Sequence, residues 1–406
     1  MITRLYGCSI FDGERDELME GQSIYIRDDT IIHVGKDRAD LVADVEICGQ
    51  GKVVIPGLMN LHVHINRRHV SRTSSSFRQG APAIENSSDA KRMMYAARNA
   101  WYELMQGITT MRDLCSVGRT ATELKEAIEE GLINGPRLVV CGMAIAVTGG
   151  HETHRYKGAV EVDGPDEVTK ATRNEIRLGA DFIKLMVSGG IGGMPEHEHP
   201  SWSELNVEEI TAACRAAHSH NRGVTVHAMG ELPVMNALVG GVDGIEHGAV
   251  LTERALHIMK ERDVYYVPTA SGITAVADRE AARGNAETAQ MIRSVVVQPQ
   301  RESIRKAHEF GIRIGSGSDT LGSVLEELRI FIDCGMNNVQ ALRTATSNAA
   351  GILGMEDRLG YIREGYQADL VLLDGNPLEN IDALQHVHSV FVRGKRVSHE
   401  WLCNLN

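Results

Sequence analysis

From about residue 58 onward, short apolar runs alternate with longer stretches whose apolar positions recur every three to four residues. The runs fall at residues 58–65, 109–115, 137–143, 182–187, 224–228, 244–247, 265–269 and 312–318. Between most of them lie segments of helical period at 88–106, 120–130, 166–178, 206–220 and 252–262. This alternation predicts βα units around a parallel sheet, and eight strands are what a (β/α)8 TIM barrel requires. The ends of the chain read differently. Residues 23–27, 30–34 and 45–48 are short strands between polar turns, and strands return at 368–374 and 387–397 after helices at 324–334 and 339–353. The expected architecture is an α/β protein in two parts. Residues 57–358 form the barrel, and residues 1–56 plus 359–406 form a small β-sandwich domain. The segment 277–300 has no strand partner and is expected to add a helix or a lid.

Composition narrows the setting. The 406 residues are 43% hydrophobic and 24% charged, as for a packed globule rather than a disordered chain. No apolar run approaches a membrane span, and Met1 to Asp12 lacks the apolar core of a signal peptide. Seven scattered cysteines without C-x-x-C spacing argue for reduced thiols and a cytoplasmic setting. A net charge of -12 gives no reason to expect nucleic acid as a partner.

The chemistry lies at the strand ends, where a barrel of this kind keeps its working groups. His62 and His64 close the first run, and side chains two apart on a strand point the same way. Lys184 interrupts the fourth run, His227 ends the fifth, His247 the sixth, and Asp319 follows the eighth. Each has an ordinary reading: a hydrogen-bonded histidine, an Asp capping the next helix, a Lys184 salt bridge to Asp319 or Glu246. An apolar strand is a costly place for an ammonium. Burial depresses its pKa, and the neutral amine can then take up CO2 as a carbamate. Two other histidine motifs fit less well. His151-Glu-Thr-His154 is one residue short of the His-Glu-x-x-His metal motif, and His197-Glu-His199 sits between prolines in an expected loop.

The order His-x-His, Lys, His, His, Asp along the strands resembles the amidohydrolase superfamily, in particular its binuclear members with a carboxylated lysine. The flanking stretches Val54-Ile-Pro-Gly-Leu-Met-Asn-Leu-His-Val-His64 and Leu359-Gly-Tyr-Ile-Arg-Glu-Gly-Tyr-Gln-Ala-Asp-Leu-Val-Leu-Leu-Asp374 agree, as does Val390-Phe-Val-Arg-Gly-Lys-Arg-Val397. The segments Thr148-Gly-Gly-His151 and Ser188-Gly-Gly-Ile-Gly-Gly193 are similar to those of imidazolonepropionase-like and Xaa-Pro or Xaa-Arg dipeptidase-like amidohydrolases.

The resemblance implies two divalent cations, with zinc the expected ion, held by His62, His64, Lys184, His227, His247 and Asp319. A CO2-derived carbamate on Lys184 would bridge them. A metal-bound hydroxide would attack an amide-type C–N bond of a dipeptide, N-acyl amino acid, urea or carbamate, with Asp319 moving the proton. His151 would bind the substrate carbonyl or carboxylate. Peptidase-like members often carry Tyr two residues past the strand-five histidine. Met229 stands there instead and would supply an apolar wall. Arg155, with Arg67, Arg68 and Arg72, is a candidate anchor for an anionic group. Relatives are often multimeric, so a homo-oligomer acting on a small molecule is implied.

Three other readings stand beside this one. A deaminase on the same barrel would carry Glu three residues past the strand-five histidine, where this chain has Gly230. A phosphotriester or lactone hydrolase would use the same metal pair. A metal-free binding protein would be expected to have lost ligands.

Overall fold

The computed structural model describes residues 1–67, 87–154, 157–192 and 198–397. Arg68, Arg72, Arg155 and His197 lie outside the described residues.

Both chain ends enter one eight-stranded sheet. Its main path runs Lys395–Arg396, Val387–Val392, Leu370–Leu373, Val53–Pro56, Ile2–Ile10, Met19–Arg27 and Thr30–Gly35, with Val45–Cys48 pairing alongside Ile2–Ile10. The carboxy-terminal strand Leu370–Leu373 lies antiparallel to Val53–Pro56, pairing Leu370 with Pro56 and Leu373 with Val53. Leu5, Ile10, Ile24, Ile26, Val54, Leu370, Leu372 and Phe391 form the core beneath this sheet.

Gly57 then turns the chain into the barrel. A Cβ at that position would sit 2.1 Å from Thr109 Oγ1, so only glycine lets the first barrel strand press against the second. The parallel strands in barrel order are Leu58–Val63, Ile108–Asp113, Arg137–Val140, Ile183–Met186, Val224–Ala228, Gly244–His247 and Tyr265–Val267, and two short parallel strands, Ala144–Ala146 and Ala159–Glu161, extend the sheet beside Ile183–Met186. The register puts His227 beside Met186 and Ala228 beside His247, so the candidate residues end at one level. The expected eighth strand is reduced to a single parallel bridge between Tyr266 and Ile314. Backbone bonds still close the ring: Gly315 N to Tyr266 O at 2.9 Å, and Leu61 N to Ser316 O at 2.8 Å. Gly315 and Gly317 explain the weak strand. Side chains there would collide with Leu61, Ile352, His62 and Val267.

Helices shield the barrel, and their ends follow local chemistry. Val207–His218 opens on a capping box between Asn206 and Glu209, and Asn338–Thr344 on one between Asn337 and Gln340. The expected helix 339–353 is broken at Ala345 and Thr346, and Ser347–Ile352 resumes it. The helix Glu231–Gly240 has no amphipathic period to announce it, because apolar residues occupy most of its faces. Past the seventh strand, Ala270–Ala282, Ala286–Ile292, a π-turn at Arg293–Val297 and Gln298–Glu309 form a helical excursion, as expected for the segment 277–300. No helix among the described residues is long and apolar enough to cross a membrane.

Candidate metal centre and active site

The strand ends converge on a cavity of about 660 Å3, within the usual range for small-molecule sites. His62, His64, Lys184, His227, His247 and Asp319 all line it. Ligand atoms of His62, His64 and Asp319 lie within 4.8 Å of one another. The ring centroids of His62 and His247 are 4.9 Å apart, and those of His227 and His247 are 4.5 Å apart.

Hydrogen bonds decide which nitrogen of each imidazole is free. His62 Nδ1 lies 2.8 Å from Glu246 Oε2, and His64 Nδ1 lies 3.2 Å from the Cys115 carbonyl. Both partners only accept, so Nδ1 carries the proton and Nε2 is left with a lone pair. Thr269 Oγ1 donates to the Pro268 carbonyl and so accepts from His247 Nδ1 at 2.7 Å. In His227 the order is reversed: Nε2 faces the Gly189 carbonyl at 3.3 Å, leaving Nδ1 free. Burial, reinforced by neighbouring positive charge, holds all four histidines below their ordinary pKa and therefore neutral. Four buried neutral imidazoles beside a carboxylate are a donor set suited to borderline-soft divalent cations.

Lys184 lines the same cavity. It is 1% exposed, and its Nζ has no hydrogen-bond partner among the described residues. The salt bridge to Asp319 or Glu246 that would have explained it is absent from the described ion pairs. Burial lowers its pKa, favouring the neutral amine.

A second set of residues fixes the first. Glu246 is fully buried and accepts from His62, from Thr225 Oγ1 at 2.6 Å and from Arg112 Nη2 at 2.5 Å. Arg112 also donates to the Leu61 carbonyl at 2.7 Å and to Tyr265 Oη at 2.8 Å. One buried network thus ties five strands beneath the ligands. His247, Thr269 and Asp319 take left-handed backbone (φ 70°, 57° and 52°). Such residues cost about 1–3 kcal/mol each. Asp319 is further held by its N–H to His62 O at 2.8 Å and by Thr320 N donating to Oδ1 at 2.6 Å.

Loops supply the walls. His151 stacks on His227 with centroids 4.3 Å apart, its Nδ1 lies 2.5 Å from Glu198 Oε2, and its N–H donates to Glu204 at 2.9 Å. Burial works against the imidazolium, but Glu198 and Glu152 outweigh it and raise the pKa. Gly190 is needed for this stack, because a Cβ there would meet His151 Cε1 at 2.2 Å. Arg67 is taken up in an ion pair with Glu152 at 2.6 Å. Met229 lines the cavity next to Ile191, Ile273 and Val276.

Sequence reasoning missed Arg112, Glu198 and Arg279, and read Glu246 only as a salt-bridge partner for Lys184. Glu198 lay inside the His197-Glu-His199 motif that had looked like a solvated loop. The carboxylate turns inward, while His199 turns to Ser201 Oγ at 2.7 Å. Arg279 reaches the cavity from the helix Ala270–Ala282.

Comparison with known proteins agrees with this geometry. Ochratoxinase of Aspergillus niger is 30% identical over 434 aligned positions, covering 98% of this chain and 85% of that protein. A crystal structure of a Xaa-Pro dipeptidase with bound methionine in its active site superposes with a TM-score of 0.88 at 30% identity, over 98% of this chain and all of that one. A prolidase complexed with N-methylphosphonate-L-proline superposes with a TM-score of 0.87 at 32% identity, with the same coverage. The profile of the Amidohydrolase family matches residues 53–397, and the chain, a metal-dependent hydrolase of C–N bonds on an α/β barrel, belongs to that family.

Proposed function

We propose that this amidohydrolase cleaves an amide-type C–N bond in a dipeptide, N-acyl amino acid, urea or carbamate at a centre of two divalent cations. His62, His64 and Asp319 would hold one ion, and His227 and His247 the other. The observation that carries the reading is Lys184, a buried amine without a hydrogen-bond partner among the described residues, in the cavity lined by four neutral imidazoles and a carboxylate. Its neutral nitrogen can form a bond to CO2 and release a proton, giving a carbamate whose two oxygens and negative charge suit a bridge between cations.

When bound, the cations would lower the pKa of coordinated water, supplying a nucleophile near neutral pH and polarising the scissile carbonyl. The chain does the rest. His151, an imidazolium oriented by Glu198, is placed to donate to the carbonyl oxygen. Asp319, at the cavity edge beside His64, would take the proton from the attacking water and return it to the departing nitrogen. Met229, Ile191, Ile273 and Val276 offer an apolar surface to the organic part of the substrate and help exclude bulk water.

The test is Lys184→Ala, purified with zinc or manganese. The reading expects fewer cations per chain by elemental analysis and loss of amide turnover together. Full metal content with full turnover would contradict it.

A further inference from the structure

The helix Ala270–Ala282 presents cavity-facing residues in an order that measures out a substrate. Gly272, Ile273, Val276 and Arg279 all line the cavity, and spacings of three and four residues keep them on one helical face. Gly272 marks the metal end, because a Cβ there would meet Asp319 Cβ at 2.7 Å. Arg279 comes seven residues later, about 10 Å along the axis at ~1.5 Å per residue. Cα–Cβ bonds in a helix tilt toward its N-terminus, here the metal end. Between the two lie Ile273 and Val276, continuous with Met229 and Ile191 in one apolar patch.

Arg279 is 7% exposed, so its charge belongs to the cavity wall rather than to bulk solvent. Its Nε lies 3.6 Å from Glu280, a carboxylate that also receives Arg283 at 3.0 Å and Asn285 at 2.8 Å. The cavity's other arginine in the described residues, Arg67, pairs with Glu152 at 2.6 Å. A guanidinium beside an apolar wall matches a planar, singly charged anion on an otherwise apolar molecule.

Building on the amide-hydrolysis reading, we propose that Arg279 recognises a carboxylate on the part of the substrate lying along this helix. The enzyme thereby selects N-acyl derivatives of apolar amino acids over neutral amides, ureas and carbamates of similar shape. Ile273, Val276 and Met229 take the apolar side chain, and Arg279 fixes the far end.

The test uses metal-loaded enzyme and matched pairs that differ only in the carboxylate, such as N-benzoyl-leucine against N-isopentylbenzamide. The expected preference for the acid in kcat/KM is about 100-fold, the range of a charge-assisted hydrogen bond. Arg279→Met should bring the ratio to within a few-fold of one, chiefly through KM for the acid, with metal content at the wild-type level. Arg279→Lys should keep part of the preference. A wild-type ratio near one, or a ratio that survives both substitutions, overturns the role of Arg279 while leaving amide hydrolysis in place. No turnover of either member, nor of dipeptides and ureas, overturns the hydrolase reading and this proposal with it.

Discussion

Two histidine–carboxylate pairs face the same cavity and are held in opposite ways. His62 and Glu246 stand on barrel strands, 2.8 Å apart with side chains 1% and 0% exposed, and the carboxylate is shared with Arg112 and Thr225. His151 and Glu198 stand on loops, 2.5 Å apart with side chains 14% and 18% exposed. The first pair keeps its imidazole neutral, as a ligand must be; the second raises the pKa of its imidazole, as a donor to an oxyanion requires. The same two residue types thus yield opposite charge states. Burial decides the strand pair, and the crowding of Glu152, Glu198 and Glu204 around His151 decides the loop pair. On the proposed reading, that difference makes a buried floor for the cations and a charged wall for the substrate.

Substitutions should separate floor from wall. The largest effect belongs to Asp319→Asn, which keeps the shape of the group but removes its basicity. Turnover should fall by about 10²- to 10⁴-fold across all substrates, read from initial rates on protein of verified metal content. Next comes Glu246→Gln. Losing a charged partner of a ligating histidine should weaken metal affinity by about 10- to 100-fold, measured by competition with a chromophoric chelator, and excess metal should restore part of the rate. Glu198→Gln should act on the wall alone. A rate loss on the order of 10-fold with unchanged metal affinity is expected from a misplaced His151, and equal loss of metal would erase the distinction.

The remaining prediction concerns stability rather than turnover, at the helix that carries Arg279. Thr269 gives it no side-chain cap, and Glu327 from the helix Val324–Asp333 instead accepts from Ala270 N at 2.9 Å and Ser271 N at 2.7 Å. Burial raises Glu327 from 4.5 to about 7. The folded protein then holds this proton more tightly than the unfolded chain does. Its stabilising contribution is complete below pH 4.5 and is lost as pH rises through about 7. The amount is on the order of 3 kcal/mol. Glu327→Gln should flatten the fall in thermal stability between those two pH values, read by calorimetry. An unchanged slope would remove Glu327 from the account.

The floor was legible in the sequence because strands impose a period of two and bring their ends to one level. His62 and His64 needed only that rule, and Lys184 stood out by interrupting an apolar strand. The walls were not, since loops carry no period: nothing in Pro195-Glu-His-Glu-His-Pro200 told Glu198 from its neighbours. Glu231–Gly240 was missed for a related reason, being apolar on nearly every side. The eighth strand was read as a full strand where glycines leave only a bridge. Arg279 was hidden because its partners in the cavity lie up to 217 positions away, at His62.

Lys184 is proposed to carry a carbamate between two cations. Metal-loaded enzyme equilibrated with 13C-bicarbonate should show a carbamate carbon resonance by 13C NMR that is absent from Lys184→Ala. A fully metal-loaded, active enzyme without that resonance would contradict the account.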